Sequence, residues 1–176
     1  MSILETHWDA VILSAMSEDS EDTRELPFWL TKSLRQMSDQ EWESLCDGCG
    51  LCCMVKLENA STGEVVSTEV ACRLLDLHTC RCTDYPNRQS KVPGCLRLTP
   101  NIVPQLYWLP ETCGYRRVHE AKDLPEWHPL RGGDPEAVHR AGISVRGKAF
   151  SEADIEDLEQ VLSDWYDFNE ADDDQP

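Results

Sequence analysis

The segment Cys46-Asp47-Gly48-Cys49-Gly50-Leu51-Cys52-Cys53 carries the strongest chemical signal in the chain. Two residues between thiols let a tight turn aim both sulfurs at one point. Three thiols at that step supply three corners of a metal site or cluster. Gly48 and Gly50 can take φ > 0 and bring backbone N–H groups close to sulfur, which predicts a loop here and not a helix. The ligand is the thiolate, which a bound metal holds deprotonated far below the free thiol value of about 8.5. Cys52 and Cys53 are neighbours whose side chains are expected to diverge. Spacing selects Cys52 for the first site and leaves Cys53 for a second site or for packing.

A second group follows in Cys72, Cys80 and Cys82. In an extended strand residues i and i+2 face the same side, so Cys80 and Cys82 are placed to bind one ion together, with Arg81 pointing away. Cys95 and Cys113 come singly, each a few residues after a proline. All nine cysteines are candidate ligands, and His128, ahead of Pro129, is a weaker one. His119 and His139 read as surface or loop-packing residues. Arg73, Arg116 and Arg117 are either counter-charges for an anionic centre or ordinary surface cations. No Gly-rich phosphate loop and no nucleophile elbow is present.

Closed zinc sites draw pairs of ligands from two knuckles. Here there is one triple knuckle, one Cys-x-Cys pair and three single cysteines. A C-x₂-C-x₂-C run with a remote fourth cysteine is the ligand set of a four-iron (4Fe–4S) cluster. The pattern ranks an iron–sulfur cluster first, with zinc or mononuclear iron as the alternative. Nine thiols exceed one four-ligand site, so two centres have room. Structural metal binding is worth about 10–16 kcal/mol against a domain stability of about 5–15 kcal/mol. On that scale the stretch 46–115 is expected to be stapled by metal.

The elements that position these residues are short. Ile3, Leu4, Trp8, Val11 and Ile12 give residues 1–15 an apolar stripe that predicts a helix, followed by a charged linker at 17–25. Ser38-Asp39-Gln40-Glu41 fits a capping box and predicts a helix over 39–46 that carries Trp42 and Leu45 inward and delivers the chain to Cys46. Glu64–Thr68 reads as a strand after a turn at 61–63, and Val70–Leu77 as a short helix. Residues 83–115 are rich in Pro, Arg, Tyr and Trp with little period and read as irregular, and 121–149 as loop. Ser151 is a second N-cap signal. Ile155, Leu158, Leu162 and Trp165 then predict an amphipathic helix over 151–168 packed on the core, and the acidic tail 169–176 is expected to be disordered. The expected fold is a small single domain, mainly α with short strands (α+β), around a large irregular cysteine-rich core held by metal.

Length, charge and cysteine usage bound the function. The 176 residues suffice for one ordinary domain. The net charge of −17 sits at the ends: −7 over residues 1–45 and −11 over 150–176, with +1 between them. Nucleic acid is therefore not an expected partner, because binding it needs a basic surface. The acidic ends serve solubility or dock a basic protein partner. No apolar run is long enough for a membrane span or a secretory h-region. All nine cysteines fall within residues 46–113 and their number is odd, which argues against a disulfide framework and for a reducing, cytoplasmic compartment.

At these residues the chain resembles the YcgN-like bacterial proteins, part of the wider YkgJ-type group of zinc- or iron-chelating cysteine domains. The resemblance runs from about Leu26 to Val145. It includes Pro27-Phe28-Trp29, Met37-Ser38-Asp39, Glu41 through Gly50, Cys52-Cys53, Val70-Ala71-Cys72-Arg73, Thr79-Cys80, Cys82, Trp108-Leu109-Pro110, Thr112-Cys113, Lys122-Asp123-Leu124-Pro125, Trp127-His128-Pro129-Leu130 and Ile143-Ser144-Val145-Arg146. All nine cysteines fall on positions where cysteine is expected in that family. Residues 1–25 lie outside the resemblance, as an N-terminal extension to the metal-binding domain at 26–150. The wider group's Cys-x-x-Tyr-x-x-Arg block stands here as Cys82-Thr83-Asp84-Tyr85 with Arg88 and Cys95, in looser spacing. The resemblance implies metal chelation and a cytoplasmic location, and it implies no reaction. Three functions remain open: a metal or cluster protein acting as carrier, sensor or redox partner; an iron–sulfur-dependent modifying enzyme; or a structural zinc interaction module.

Overall fold

The computed structural model describes residues 26–157. The helix expected at 1–15, the linker at 17–25, the helix from 158 onward and the acidic tail lie outside the described residues.

Six α-helices are present among the described residues, none longer than six residues: α1 (Phe28–Thr31), α2 (Asp39–Ser44), α3 (Arg88–Lys91), α4 (Gly114–His119), α5 (Pro129–Gly132) and α6 (Ala137–Arg140). β1 (Met54–Glu58) and β2 (Val65–Ala71), the latter the longest regular element among the described residues, form an antiparallel hairpin, and β5 (Phe150–Ser151) joins β2 in parallel. β3 (Leu75–Asp76) and β4 (Arg81–Cys82) make a separate two-stranded ladder. The hairpin register shifts between Met54 and Lys56. At that bulge the Thr68 hydroxyl donates to the Val55 carbonyl at 3.0 Å, so the freed acceptor is satisfied.

The Ser38 capping box forms as its sequence dictates. The Ser38 N–H donates to Glu41 Oε2 at 2.8 Å, and the Glu41 N–H donates back to Ser38 Oγ at 3.3 Å. A second box, Ser33 with Gln36, closes a 3₁₀ turn at Leu34–Gln36. The same Ser-x-x-Gln signature marks it in the sequence.

The expectation of a mainly helical fold around an irregular core stapled by metal is overturned. Two apolar clusters and the β1–β2 ladder occupy that region. The first cluster gathers Leu34, Leu45, Val103, Leu109, Tyr115, Val118 and Leu124. The second gathers Met54, Ala71, Leu75, Cys80 and Val145. Burying such side chains stabilises the fold by about 1.5–3 kcal/mol each, so apolar packing and strand pairing organise that region. The helix expected over Val70–Leu77 does not form: Val70 and Ala71 end the strand β2, which is rich in β-branched residues and pairs with β1 and β5, and Leu75–Asp76 pairs with β4. Ser151 does cap, accepting from the Ala153 N–H, but it heads only a 3₁₀ turn at Glu152–Asp154, after which Ile155 is extended.

Candidate metal centre

The cysteine knuckle begins where α2 ends. Leu45, fully buried, terminates the helix and hands the chain to Cys46. The backbone then turns through Gly48 at φ 82° and Gly50 at φ 80°, the left-handed conformation that the glycines foretell. At Gly50 space is limiting as well, since a Cβ there would lie 2.8 Å from Val145 Cγ2. The Asp47 side chain closes the turn, with Oδ1 accepting from the Cys49 N–H at 3.0 Å. The Val145 N–H donates to the Cys49 carbonyl at 2.9 Å, which ties the knuckle to a distant segment. A 3₁₀ turn, Leu51–Cys53, then brings Cys52 and Cys53 forward. Their sulfurs stand 4.0 Å apart and do not diverge, because the tight turn holds both on one side.

All nine cysteines are free thiols, and all nine line a single cavity of about 1000 Å³. They surround it and do not meet at a point. Among the described residues no three His, Cys, Asp or Glu side chains stand close enough to form a ready-made site for one ion. Cys72 follows β2 and donates its N–H to the Cys53 carbonyl at 2.9 Å. Cys82 lies on β4 opposite Leu75. Cys113 caps α4, whose first residue, Gly114, presses on Leu45; a Cβ at Gly114 would lie 2.2 Å from the Leu45 carbonyl oxygen. This contact holds the Cys113 segment against the Cys46 segment.

The expected strand alternation at Cys80–Cys82 is broken. Cys80 has φ 54°, so the chain is not extended there, and its side chain is buried in the second apolar cluster. Arg81 accordingly turns toward the knuckle, with its guanidinium 3.8 Å from Cys46 Sγ. His128 is fully buried and does not line the cavity. Its Nε2–H donates to the Leu45 carbonyl at 3.1 Å, and its Nδ1 accepts from the Leu130 N–H at 3.2 Å. Both ring nitrogens are thus engaged, and the imidazole offers no lone pair to a metal as folded. His139 bonds Ser144 Oγ at 2.7 Å.

Electrostatics in the cavity favour neutral thiols. Burial, with the Cys52 charge behind it, pushes the Cys46 thiol up to about 12. Burial raises Cys113 to about 11 against the opposing N–H groups of Arg116 and Tyr115. Burial also raises Cys49. Cys53 is raised by its hydrogen bond to Cys52 and by burial, and it also feels Cys52, Cys72 and Cys95. Burial raises Cys95, with Arg88 opposing and Cys72 and Cys82 adding to the rise. Cys52 is the exception, brought down to about 7 by the Cys53 thiol, with Lys56 assisting against burial. Lys56, Arg81 and Arg88 are the cations that reach these sulfurs, and none of the three is ion-paired among the described residues. The candidates taken from the sequence are engaged elsewhere: Arg73 pairs with Glu152, Arg116 with Glu120, and Arg117 donates to the carbonyls of Asp123 and Glu111.

The donor set fits a thiophilic metal. A metal cation displaces the protons of such thiols into solvent as it binds the thiolates, and soft sulfur donors select zinc, copper(I) or iron–sulfur centres. Asp47 adds a second sign. It is 4% exposed and lines the cavity, and its Oδ2 is buried with no hydrogen-bond partner. An orphaned acceptor among thiols marks a place built to receive a further group.

The comparisons with known proteins agree with this chemistry. Residues 45–114 match the family described as "Putative zinc- or iron-chelating domain". A UPF0260 protein of Allorhizobium ampelinum is 60% identical over 141 residues, covering 79% of this chain and 89% of that protein. A UPF0260 protein of Sinorhizobium fredii is 58% identical over 143 residues, covering 80% and 92%. One of Caulobacter vibrioides is 54% identical over 136 residues, covering 77% and 84%. No solved structure matches. Among the described residues no helix is long and apolar enough to cross a membrane. The chain belongs to the UPF0260 family, and the likeness of residues 45–114 to a zinc- or iron-chelating domain supports metal binding through its cysteines.

Proposed function

We propose that this protein is a cytoplasmic iron–sulfur protein that acts as a carrier, sensor or redox partner. The observation that carries the reading is the ring of nine thiols around one cavity of about 1000 Å³. A single tetrahedral zinc needs four sulfurs at about 2.3 Å from the ion, hence about 3.8 Å from one another. A multi-iron cluster takes each thiolate on a different iron, and so suits sulfurs that surround a space. When bound, such a cluster supplies one-electron chemistry at a potential set by its charge, its hydrogen bonds and its exposure.

The chain's own residues set those conditions. Gly48 and Gly50 leave room for backbone N–H groups beside the sulfurs, and Arg81 and Lys56 offset thiolate charge at Cys46 and Cys52. Cys52 is the one exposed thiol of the nine, so solvent and partners reach the cavity at that edge, whereas structural zinc sites are closed.

The test is elemental analysis of protein purified without oxygen, paired with its visible spectrum. Iron and acid-labile sulfide with broad charge-transfer absorbance are expected. Colourless protein with stoichiometric zinc overturns the iron–sulfur reading and points to a structural zinc module.

A further inference from the structure

The thiols around the cavity are not one set. Cys46 and Cys113 pack against the first apolar cluster, whereas Cys53 packs against the second. The Gly114–Leu45 contact holds Cys113 beside the knuckle that carries Cys46, Cys49 and Cys52. On the other side, Cys72 donates its N–H to the Cys53 carbonyl at 2.9 Å, and the Leu75 N–H donates to the Cys72 carbonyl at 2.8 Å. Leu75 is in turn the register partner of Cys82. Backbone pairing therefore fixes Cys53, Cys72 and Cys82 to one another. The two groups meet at the adjacent sulfurs of Cys52 and Cys53, 4.0 Å apart.

We propose that the chain holds two separate four-thiolate centres: Cys46, Cys49, Cys52 and Cys113 bind one, and Cys53, Cys72, Cys82 and Cys95 bind the other. Cys80, the ninth, is a core residue. Its left-handed backbone turns it into the apolar cluster with Met54, Leu75 and Val145, away from the strand alternation that would pair it with Cys82. Cys95 lines the same cavity and reaches it from the Cys82 side: Lys91 pairs with Asp84 at 2.6 Å, the Asn87 N–H donates to the Asp84 carbonyl at 3.2 Å, and the Cys95 N–H donates to the Val92 carbonyl at 2.9 Å, which ties its segment to the turn that follows Cys82. The consecutive cysteines thus have a purpose. One backbone turn supplies a ligand to each centre and sets the two centres side by side.

This proposal rests on the metal-binding reading above, but not on the identity of the metal. Protein purified without oxygen, and Cys113→Ser, Cys95→Ser and Cys80→Ala variants, are compared for metal per chain. Cys113→Ser and Cys95→Ser are each expected to keep half of the wild-type metal, their combination none, and Cys80→Ala all of it. A second measurement, on the wild-type chain, guards against variants that fail to fold. The chain is stripped, reloaded to half capacity and alkylated, and protection of each cysteine is read by mass spectrometry. Protection is expected to rise together within each group of four. Reduced iron-loaded protein should also show spin coupling between neighbouring centres, lost in either serine variant. One centre's worth of metal in the wild type overturns the proposal, as does protection that mixes the two groups or loss of metal in a folded Cys80→Ala. Two zinc ions per chain leave it standing while the iron–sulfur reading fails. A chain that binds no metal refutes both.

Discussion

Gly114→Ala tests the packing that holds the two halves of the knuckle together. The new Cβ would lie 2.2 Å from the Leu45 carbonyl oxygen and 3.2 Å from His128 Nε2. The first contact is with backbone, which no rotamer change relieves, so the segments must part by about 1 Å. Forcing extra volume into a packed site costs about 1–3 kcal/mol, occasionally more. Parting the segments also breaks the bond from His128 to Leu45 and leaves buried polar groups unpaired, for a further cost of about 1–3 kcal/mol. The helix preference of alanine over glycine returns at most about 1 kcal/mol. The net expectation is about 3 kcal/mol. With a urea slope of about 2 kcal/mol/M, the midpoint should fall by about 1.5 M at unchanged slope. Gly94→Ala is the control: no atom lies within 4 Å of its added Cβ, and it too neighbours a cysteine. Because Cys46 and Cys113 flank the contact, Gly114→Ala should also lower metal affinity, and Gly94→Ala should not. Equal urea midpoints for the two variants would refute the packing argument.

Three further outcomes are expected. Chelation under anaerobic conditions should strip the metal while far-ultraviolet circular dichroism keeps its native form, because two apolar clusters and the hairpin hold the fold; loss of that signal would restore metal to a structural role. Cys49→Ser should lower bound metal, as read by elemental analysis, without exposing the middle of the chain to protease, since Ser is of similar volume and the bond from residue 49 N–H to Asp47 is kept. Stability should depend on pH through His128. Burial lowers its pKa, so the unfolded chain takes up the proton first, and stability is full above the unfolded value of about 6.5 and declines as pH falls below it. Urea midpoints for His128→Leu should start lower at neutral pH, since Leu45 and Leu130 lose their partner, and should decline less steeply toward acid. An unchanged slope would remove His128 from the account.

The knuckle was legible because its determinants are local. Thiol spacing and two glycines within eight residues dictate a left-handed loop whatever surrounds it, and the φ values at Gly48 and Gly50 follow. The Ser38 box is local in the same way. The strand ladder at Leu75–Cys82 was not legible, since two-residue strands carry no period and the positive φ at Cys80 has no glycine to announce it. Arg81 was assigned to the wrong side for that same reason. The Gly114–Leu45 contact and the engagement of both His128 nitrogens depend on segments that meet only in the folded chain.

That division between local and distant bears on the chemistry itself. A knuckle written within eight residues can present three sulfurs, but a fourth must come from elsewhere, and here the elsewhere is set by packing. Cys113 arrives because glycine at position 114 lets α4 touch the Leu45 carbonyl. Cys72 and Cys82 arrive because β2 and the β3–β4 ladder fix their backbone relative to Cys53. On the two-centre proposal each apolar cluster positions one set of ligands, and a core substitution should act at the centre that its own cluster supports. Truncating Leu109 in the first cluster should disturb the environment of Cys113 ahead of that of Cys72, and truncating Leu75 in the second should do the reverse.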